Sequence, residues 1–209
     1  MYTPSTFAED RLDVQHALIR AHPLATLIVA GSMELTADLM PFALYPDEGP
    51  HGTLRAHVGR ANPLWRELRA GAECLLVFQG PEAYVSPSWY ASKAETHKVV
   101  PTWNYVVVQV RGPARVTEDG AWLHRQLRDL TDAHEGRMAT PWRVDDAPAE
   151  FIDGLTRALV GIEVPIAHIA AKWKVSQNRG EADRAGVARG LDAAAPAMAQ
   201  LVREAVARA

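Results

Sequence analysis

Short apolar runs, set apart by turns and single helices, constrain this fold more than any other feature of the chain. Leu24–Ala30 reads LATLIVA, Cys74–Phe78 reads CLLVF and Tyr105–Val110 reads YVVVQV. Each has the length and β-branched character of one strand. No βαβ rhythm of regular units separates them, and no internal repeat or low-complexity linker is visible. The pattern predicts an α+β chain, mainly β, with an antiparallel sheet or barrel and peripheral helices.

The remaining elements follow from periodicity and punctuation. Val14, Ala17, Leu18 and Ala21 fall at helical spacing, which predicts a helix over Glu9–Ala21 closed by His22-Pro23. Glu34–Leu44 is strand-like but carries Pro41, so an interruption or an edge is expected there. Thr53–Val58 reads as a short strand. Asn62-Pro63 is a helix start, with Asn as N-cap and Pro first in the helix, which then ends near Gly71. The strand from Tyr105 is expected to bend at Gly112-Pro113 and continue to Val116. Leu123, Leu127 and Leu130 mark a helix over Asp119–His134. A helix over Pro148–Leu159 is expected to be capped by Asp145 or Asp146. Gly161–Ile169 reads as a last strand, at an edge. Glu181–Ala209 reads as helical with a break at Pro196. The division expected is one domain, residues 1–191, and a helical extension, residues 192–209.

Two stretches stand out chemically. Tyr84–Tyr105 reads YVSPSWYASKAETHKVVPTWNY. It gathers three Tyr and two Trp in a chain that is 7% aromatic, and mixes them with hydroxyls, Lys93, Lys98 and His97. Rings beside hydroxyls and cations suit a planar, anionic ligand, and a loop stapled by buried aromatics fits the same composition. The second stretch, His57-Val58-Gly59-Arg60-Ala61-Asn62-Pro63, feeds a strand end through a turn into a helix N-terminus. That geometry favours an anion, with His57 and Arg60 flanking it. A capped helix with a surface arginine is the alternative. Lys172–Arg179, KWKVSQNR, is a further polar and aromatic cluster.

Other chemistries lack their signatures. The net charge of −3 shows no strongly basic face, and the arginines of Glu181–Arg208 alternate with acids. With one cysteine, Cys74, the chain cannot form an internal disulfide. The eight histidines form no HxxxH or HxH pair, and no GxSxG or dinucleotide fingerprint is present. No metal site and no catalytic residue are assigned. The N-terminus has no signal-peptide pattern and no run is long enough to span a membrane, so a cytoplasmic address is expected.

Six stretches together resemble the PaiB family. They are MYTPSTFAEDR, HVGRANPLWREL, VFQGPEAYVSPSWYASKAETHKVVPTWNYVVV, LTDAHE, PWRVDDAPAEFI and KWKVSQNRGEADRAGVARGL. The resemblance runs from Met1 to about Leu191 in order and spacing. Gly59 departs from it, standing where alanine is expected. Its members are described as FMN-binding negative transcriptional regulators. The resemblance therefore implies a split β-barrel of the flavin reductase and pyridoxamine phosphate oxidase type, a homodimer, and FMN between the subunits. It implies promoter DNA as a further partner, although no clear DNA-binding motif is present.

Carried onto this chain, the resemblance places His57, Val58, Arg60 and Asn62 at or near the phosphate. It gives Tyr84, Ser86, Ser88, Trp89 and Lys93 polar and stacking contacts, and brings Trp103, Asn104 and Tyr105 to the isoalloxazine. Lys172, Gln177 and Asn178 belong to the late strand that closes over the flavin. The residues 192–209 carry no motif, and a helix packed on the partner subunit is one expectation for them. Two other functions stay open: an FMN-dependent oxidoreductase using NADH or NADPH, and a haem-binding split barrel with His22, His57 or His97 as axial ligand.

Overall fold

The computed structural model describes residues 1–32 and 34–205. In chain order the elements are α1 (Leu12–Ala21), β1 (Leu24–Ala30), β2 (Leu35–Pro41), β3 (Ala43–Tyr45), β4 (Thr53–Gly59), α2 (Leu64–Arg69), β5 (Glu73–Val85), α3 (Lys93–Thr96), β6 (Thr102–Arg111), β7 (Arg115–Thr117), α4 (Gly120–Glu135), α5 (Ala149–Arg157), β8 (Leu159–Pro165), β9 (His168–Lys174), α6 (Glu181–Leu191) and α7 (Pro196–Glu204). They form two compact units. The larger holds residues 16–78 and 109–169, and the smaller holds 1–15, 79–108 and the chain from 170 onward. No helix among the described residues is long and apolar enough to cross a membrane.

The larger unit is built on antiparallel pairing. One sheet has the order β3-β4-β8-β7. In the other, β1 lies between β2 and β5, with Thr26 opposite Leu39 and Val77. Period-two alternation buries one face of β1, β4 and β8. Ala25, Leu27 and Val29 of β1 are buried, as are Leu54, Ala56 and Val58 of β4 and Val160, Ile162 and Val164 of β8. Each buried Leu, Ile or Val contributes about 1.5–3 kcal/mol, so these rows dominate the stability of the unit. Helix α4 starts at Asp119, whose carboxylate accepts from Ala121 N at 2.9 Å. Trp122 of α4 lies against β8 at Gly161, where a Cβ would come within 2.3 Å of its ring.

In the smaller unit, β5, β6 and β9 are neighbours in that order. Helices α6 and α7 pack together and bury Val187, Leu191, Met198, Ala199 and Val202. The described part of residues 192–209 therefore packs on its own chain, and 206–209 lie outside the described residues. The break expected at Pro196 is real: proline, which has no N–H to donate, is the first residue of α7.

Several boundaries differ from the sequence expectations. The strand expected at an edge over 161–169 is two strands. Of these, β8 lies inside its sheet between β4 and β7, because Pro165 is its last residue and interrupts no pairing beyond. The strand expected to stop at Phe78 runs on to Val85. Buried Ala83 and Val85 alternate with exposed Glu82 and Tyr84, so burial overrides the local break at Gly80-Pro81. Neither Asp145 nor Asp146 caps α5. Asp145 pairs with Arg128 at 2.7 Å, and Asp146 accepts from Arg143 N at 2.8 Å. Helix α1 begins at Leu12 rather than Glu9, because the Glu9 carboxylate folds forward onto Arg11 N at 3.1 Å.

Two glycines of this unit separate close approach from spare room. A Cβ at Gly112 would lie 2.0 Å from the Pro165 carbonyl oxygen, whereas one at Gly59 would meet nothing within 4 Å. Gly112→Ala should lower stability by roughly 2–4 kcal/mol, since backbone must move. Gly59→Ala should be neutral or stabilising by about 0.4–1 kcal/mol through the unfolded chain. Urea unfolding midpoints check both, and equal midpoints for the two variants would contradict this packing.

Candidate functional site

The turn after β4 lies in the larger unit, and its polar groups are used locally. His57 and Val58 alternate along β4, so Val58 is buried in the apolar row while His57 points to the other face. There the His57 Nδ1–H donates to Gln126 Oε1 at 2.7 Å. Arg60 donates to the carbonyls of Arg157 at 3.0 Å and Leu159 at 3.2 Å, and to the Glu118 carboxylate. Arg69 takes the other Glu118 oxygen at 2.6 Å, and both arginines hold that carboxyl below its usual range. Asn62 Oδ1 accepts from Leu64 N at 2.9 Å, and its amide donates to Asp38 at 3.3 Å. The cap expected at Asn62 therefore forms, with the helix starting one residue later than expected. The helix itself has only six residues. A phosphate at this turn would have to compete with Glu118 for Arg60 and would find the first helical N–H occupied.

The aromatic segment lies in the smaller unit and divides by role. After β5, Ser86 Oγ accepts from Ser88 N at 3.2 Å and starts the short 3-10 turn Pro87–Trp89. Trp89 then packs on α6. A Cβ at Gly186 would lie 2.0 Å from the Trp89 carbonyl oxygen, and one at Gly190 only 2.3 Å from its ring. Two glycines four apart on a helix leave one face bare, and Trp89 fills it. Ser92 completes the attachment, donating from its backbone N–H at 2.9 Å and its hydroxyl at 2.8 Å to the Asp183 carboxylate. Lys93 Nζ donates to Ser88 Oγ at 3.3 Å. Trp89 thus serves packing here, while Ser88 and Lys93 remain at the surface.

Strand β6 presents the other half of the segment. The pleat puts Trp103 and Tyr105 on one face and Asn104 on the opposite one. Trp103 is 54% exposed, whereas Asn104 is 1% exposed and donates to Ser176 Oγ at 2.9 Å. Tyr84 of β5, 47% exposed, meets Trp103 edge to face at 6.0 Å. From β9, the ammonium groups of Lys172 and Lys174 stand 5.4 Å and 5.9 Å from the centre of the Tyr105 ring. Lys174 also donates to Thr102 Oγ1 at 2.5 Å and to the Trp103 carbonyl oxygen. Burial holds the Lys174 ammonium below the usual lysine range, and repulsion from Lys172 and Arg179 adds to that. Beside these residues runs a groove of about 350 Å³, lined by Gln79, Glu82, Trp103, Tyr105, Val106 and Val107.

The late strand's end is committed to its own turn. Gln177 accepts from Val175 N at 2.8 Å and donates to the Trp173 carbonyl oxygen, and Asn178 is exposed. Tyr84, Trp103, Tyr105 and Lys172 thus share one face, which adds Lys174. Asn104 and Gln177 hold the framework, and His57, Val58, Arg60 and Asn62 belong to the other unit.

Sequence reasoning missed Lys174, Asp183, Gly186 and Gly190. Lys174 follows Lys172 at strand period, and the two glycines have helical spacing, so both patterns were present in sequence. The buried, bonded Asp183 carried no such signal. Burial pushes the Cys74 thiol up to about 11, so it is no thiolate nucleophile near neutral pH. Among the described residues no group of three or more His, Cys, Asp or Glu side chains could hold a metal ion.

An antiparallel, mainly β fold with an exposed aromatic and lysine face fits a binder of planar anions. Its sequence matches the family model described as "Putative FMN-binding domain" over residues 1–168. An uncharacterized protein of Emericella nidulans is 31% identical, over 98% of this chain and 97% of its own. The protease synthase and sporulation protein PAI 2 of Bacillus subtilis is 28% identical, over 88% of this chain and 85% of its own. Among solved structures, the FAD and haem binding protein from Mycobacterium smegmatis superposes with a TM-score of 0.59 at 16% identity. That match covers 81% of this chain and 74% of the other. The chain belongs to the PaiB-like family of FMN-binding domains. Its fold is the flavin-binding split β-barrel, α+β and mainly β, with peripheral helices.

The Asp183 attachment generates a stability prediction. Burial raises the pKa of this carboxyl, but the two Ser92 bonds, the charge of Arg179 and the Ala91 N–H outweigh it and hold it below its ordinary 3.8. A depressed folded-state value adds stability above the unfolded-state value and loses it as pH falls through the folded one. Asp183→Asn should therefore cost about 1.5–3 kcal/mol at neutral pH. The gap between wild type and variant should close as the medium is acidified below 3.8. Urea unfolding across pH reads this directly, and a gap that widens on acidification would exclude the bonded carboxylate.

Proposed function

We propose that this protein is an FMN-binding negative transcriptional regulator of the PaiB type, a cytoplasmic homodimer that holds FMN at its subunit interface. One observation carries the flavin reading: the exposed Trp103–Tyr84 pair next to two lysines on the β5-β6-β9 face. Exposed rings offer an apolar surface to a flat heterocycle, and ammonium groups beside them offer charge to its phosphate. The donor set suits FMN, which unites a planar ring system with a dianionic end. When bound, FMN supplies the redox chemistry, and the protein supplies orientation and electrostatics.

The regulatory part draws on kinship with the sporulation protein of Bacillus subtilis. Helices α6 and α7, joined by residues 192–195, come nearest to a helix-turn-helix among the described residues. Helix α7 buries Met198, Ala199 and Val202, and its Arg203 is paired with Asp192 at 2.5 Å. It is therefore not a basic recognition helix.

Adding FMN to the purified protein should quench flavin emission and bring a flavin absorption band into the dimer fraction on gel filtration. Trp103→Ala should weaken FMN binding about tenfold and brighten the flavin that remains bound. Unchanged emission and affinity in that variant would remove the ring from the site. Promoter DNA should bind with strong salt dependence and with an affinity that differs between flavin-free and flavin-loaded protein. Identical DNA affinity in both forms would sink the regulator.

A further inference from the structure

The candidate face is electrically asymmetric across its strands. Strand β6 lies between β5 and β9 and carries Trp103 and Tyr105 in the middle. On the β5 side the groove holds Glu82, whose carboxylate accepts from Gln79 Nε2 at 2.6 Å. On the β9 side stand Lys172 and Lys174, two residues apart and on the same strand face. Among the described residues neither lysine has a carboxylate within ion-pair distance. Their bonds go to Tyr2 O, Thr102 Oγ1 and Trp103 O, all neutral acceptors. Each ammonium carries three N–H donors, so both retain capacity for another acceptor. Two like charges over one ring repel each other unless an anion comes between them.

The aromatic surface is asymmetric in the same sense. The lysines take up the surroundings of the Tyr105 ring, whereas Trp103 and Tyr84 stay open. A flat, apolar ring system finds its free surface at Trp103 and Tyr84. A negatively charged end is attracted toward the lysines of β9 and repelled by Glu82.

We propose that Lys172 and Lys174 form the phosphate-selecting end of the flavin site, and that the ligand lies across β6 with its phosphate toward β9 and its ring toward Trp103 and Tyr84. This assignment rests on the flavin reading. It assigns the phosphate to these lysines in place of Arg60, which already bonds the Glu118 carboxylate and two backbone carbonyls. It also gives the site its preference for FMN over riboflavin, which has the same ring without the phosphate.

The test is calorimetric titration of the full chain with FMN and with riboflavin, at low and high salt. The double variant Lys172→Met and Lys174→Met should lose about 10- to 100-fold in FMN affinity while riboflavin changes little, since charge-assisted bonds to one end alone are removed. The salt dependence of FMN binding should fall with it. Glu82→Gln, an exposed and nearly isosteric change, should tighten FMN by about two- to threefold and leave riboflavin unaltered. Equal losses for both flavins, or FMN affinity that ignores all three positions, would overturn the lysine assignment while flavin binding itself stood. Wild-type protein that binds neither flavin would overturn the assignment together with the reading beneath it.

Discussion

The pleat of β6 is the constraint on which the candidate site depends. Its even-numbered residues Asn104, Val106 and Val108 are buried, and its odd-numbered Trp103, Tyr105 and Val107 face outward. Three buried valines, with Val110 the third, tie the strand to the core. A slip of one residue would bury the rings and expose that core row, so register is strongly specified. Pairing, burial and ring display are therefore set together. The Asn104–Ser176 bond adds polar specificity beneath the face, because two buried polar groups must find each other.

Charge is treated in two different ways. In the larger unit, arginines meet carboxylates: Arg60 and Arg69 share Glu118, and Arg55 bonds both Glu163 and Glu48 at 2.8 Å. Such pairs hold turns and strand ends in place. In the smaller, Arg11 pairs with Glu9 and Arg203 with Asp192 in the same way, whereas Lys172 and Lys174 face acceptors without charge. A structural ion pair is satisfied within the fold, whereas an unmatched pair of cations beside open rings is a place for an incoming anion. That contrast separates framework from candidate site more clearly than residue type does.

Much of this was legible in sequence, for local reasons. The runs LATLIVA and YVVVQV became β1 and β6, because β-branched residues and period-two burial agree. Asn62 and Asp119 cap their helices as their side chains suggest. The aromatic segment was visible as a functional candidate by composition. What composition could not reveal was its division. Trp89 and Trp103 are the same residue type in the same stretch, yet one fills the bare glycine face of α6 and the other stands in solvent. His57 and Arg60 likewise promised anion contacts, and long-range partners at Gln126 and Glu118 claimed them.

The sequence by itself determined the strand and helix content, the family and the chemistry available: rings, hydroxyls and lysines in the right order. These follow from side-chain type and spacing, which act within a few residues. Tertiary structure alone decided which of those groups are spent on the framework and which are free. Asp183 meets Ser92 across 91 positions, and Lys174 meets Thr102 across 72. No local pattern encodes such a meeting, because it is set by which strands and helices become neighbours once their apolar faces are buried.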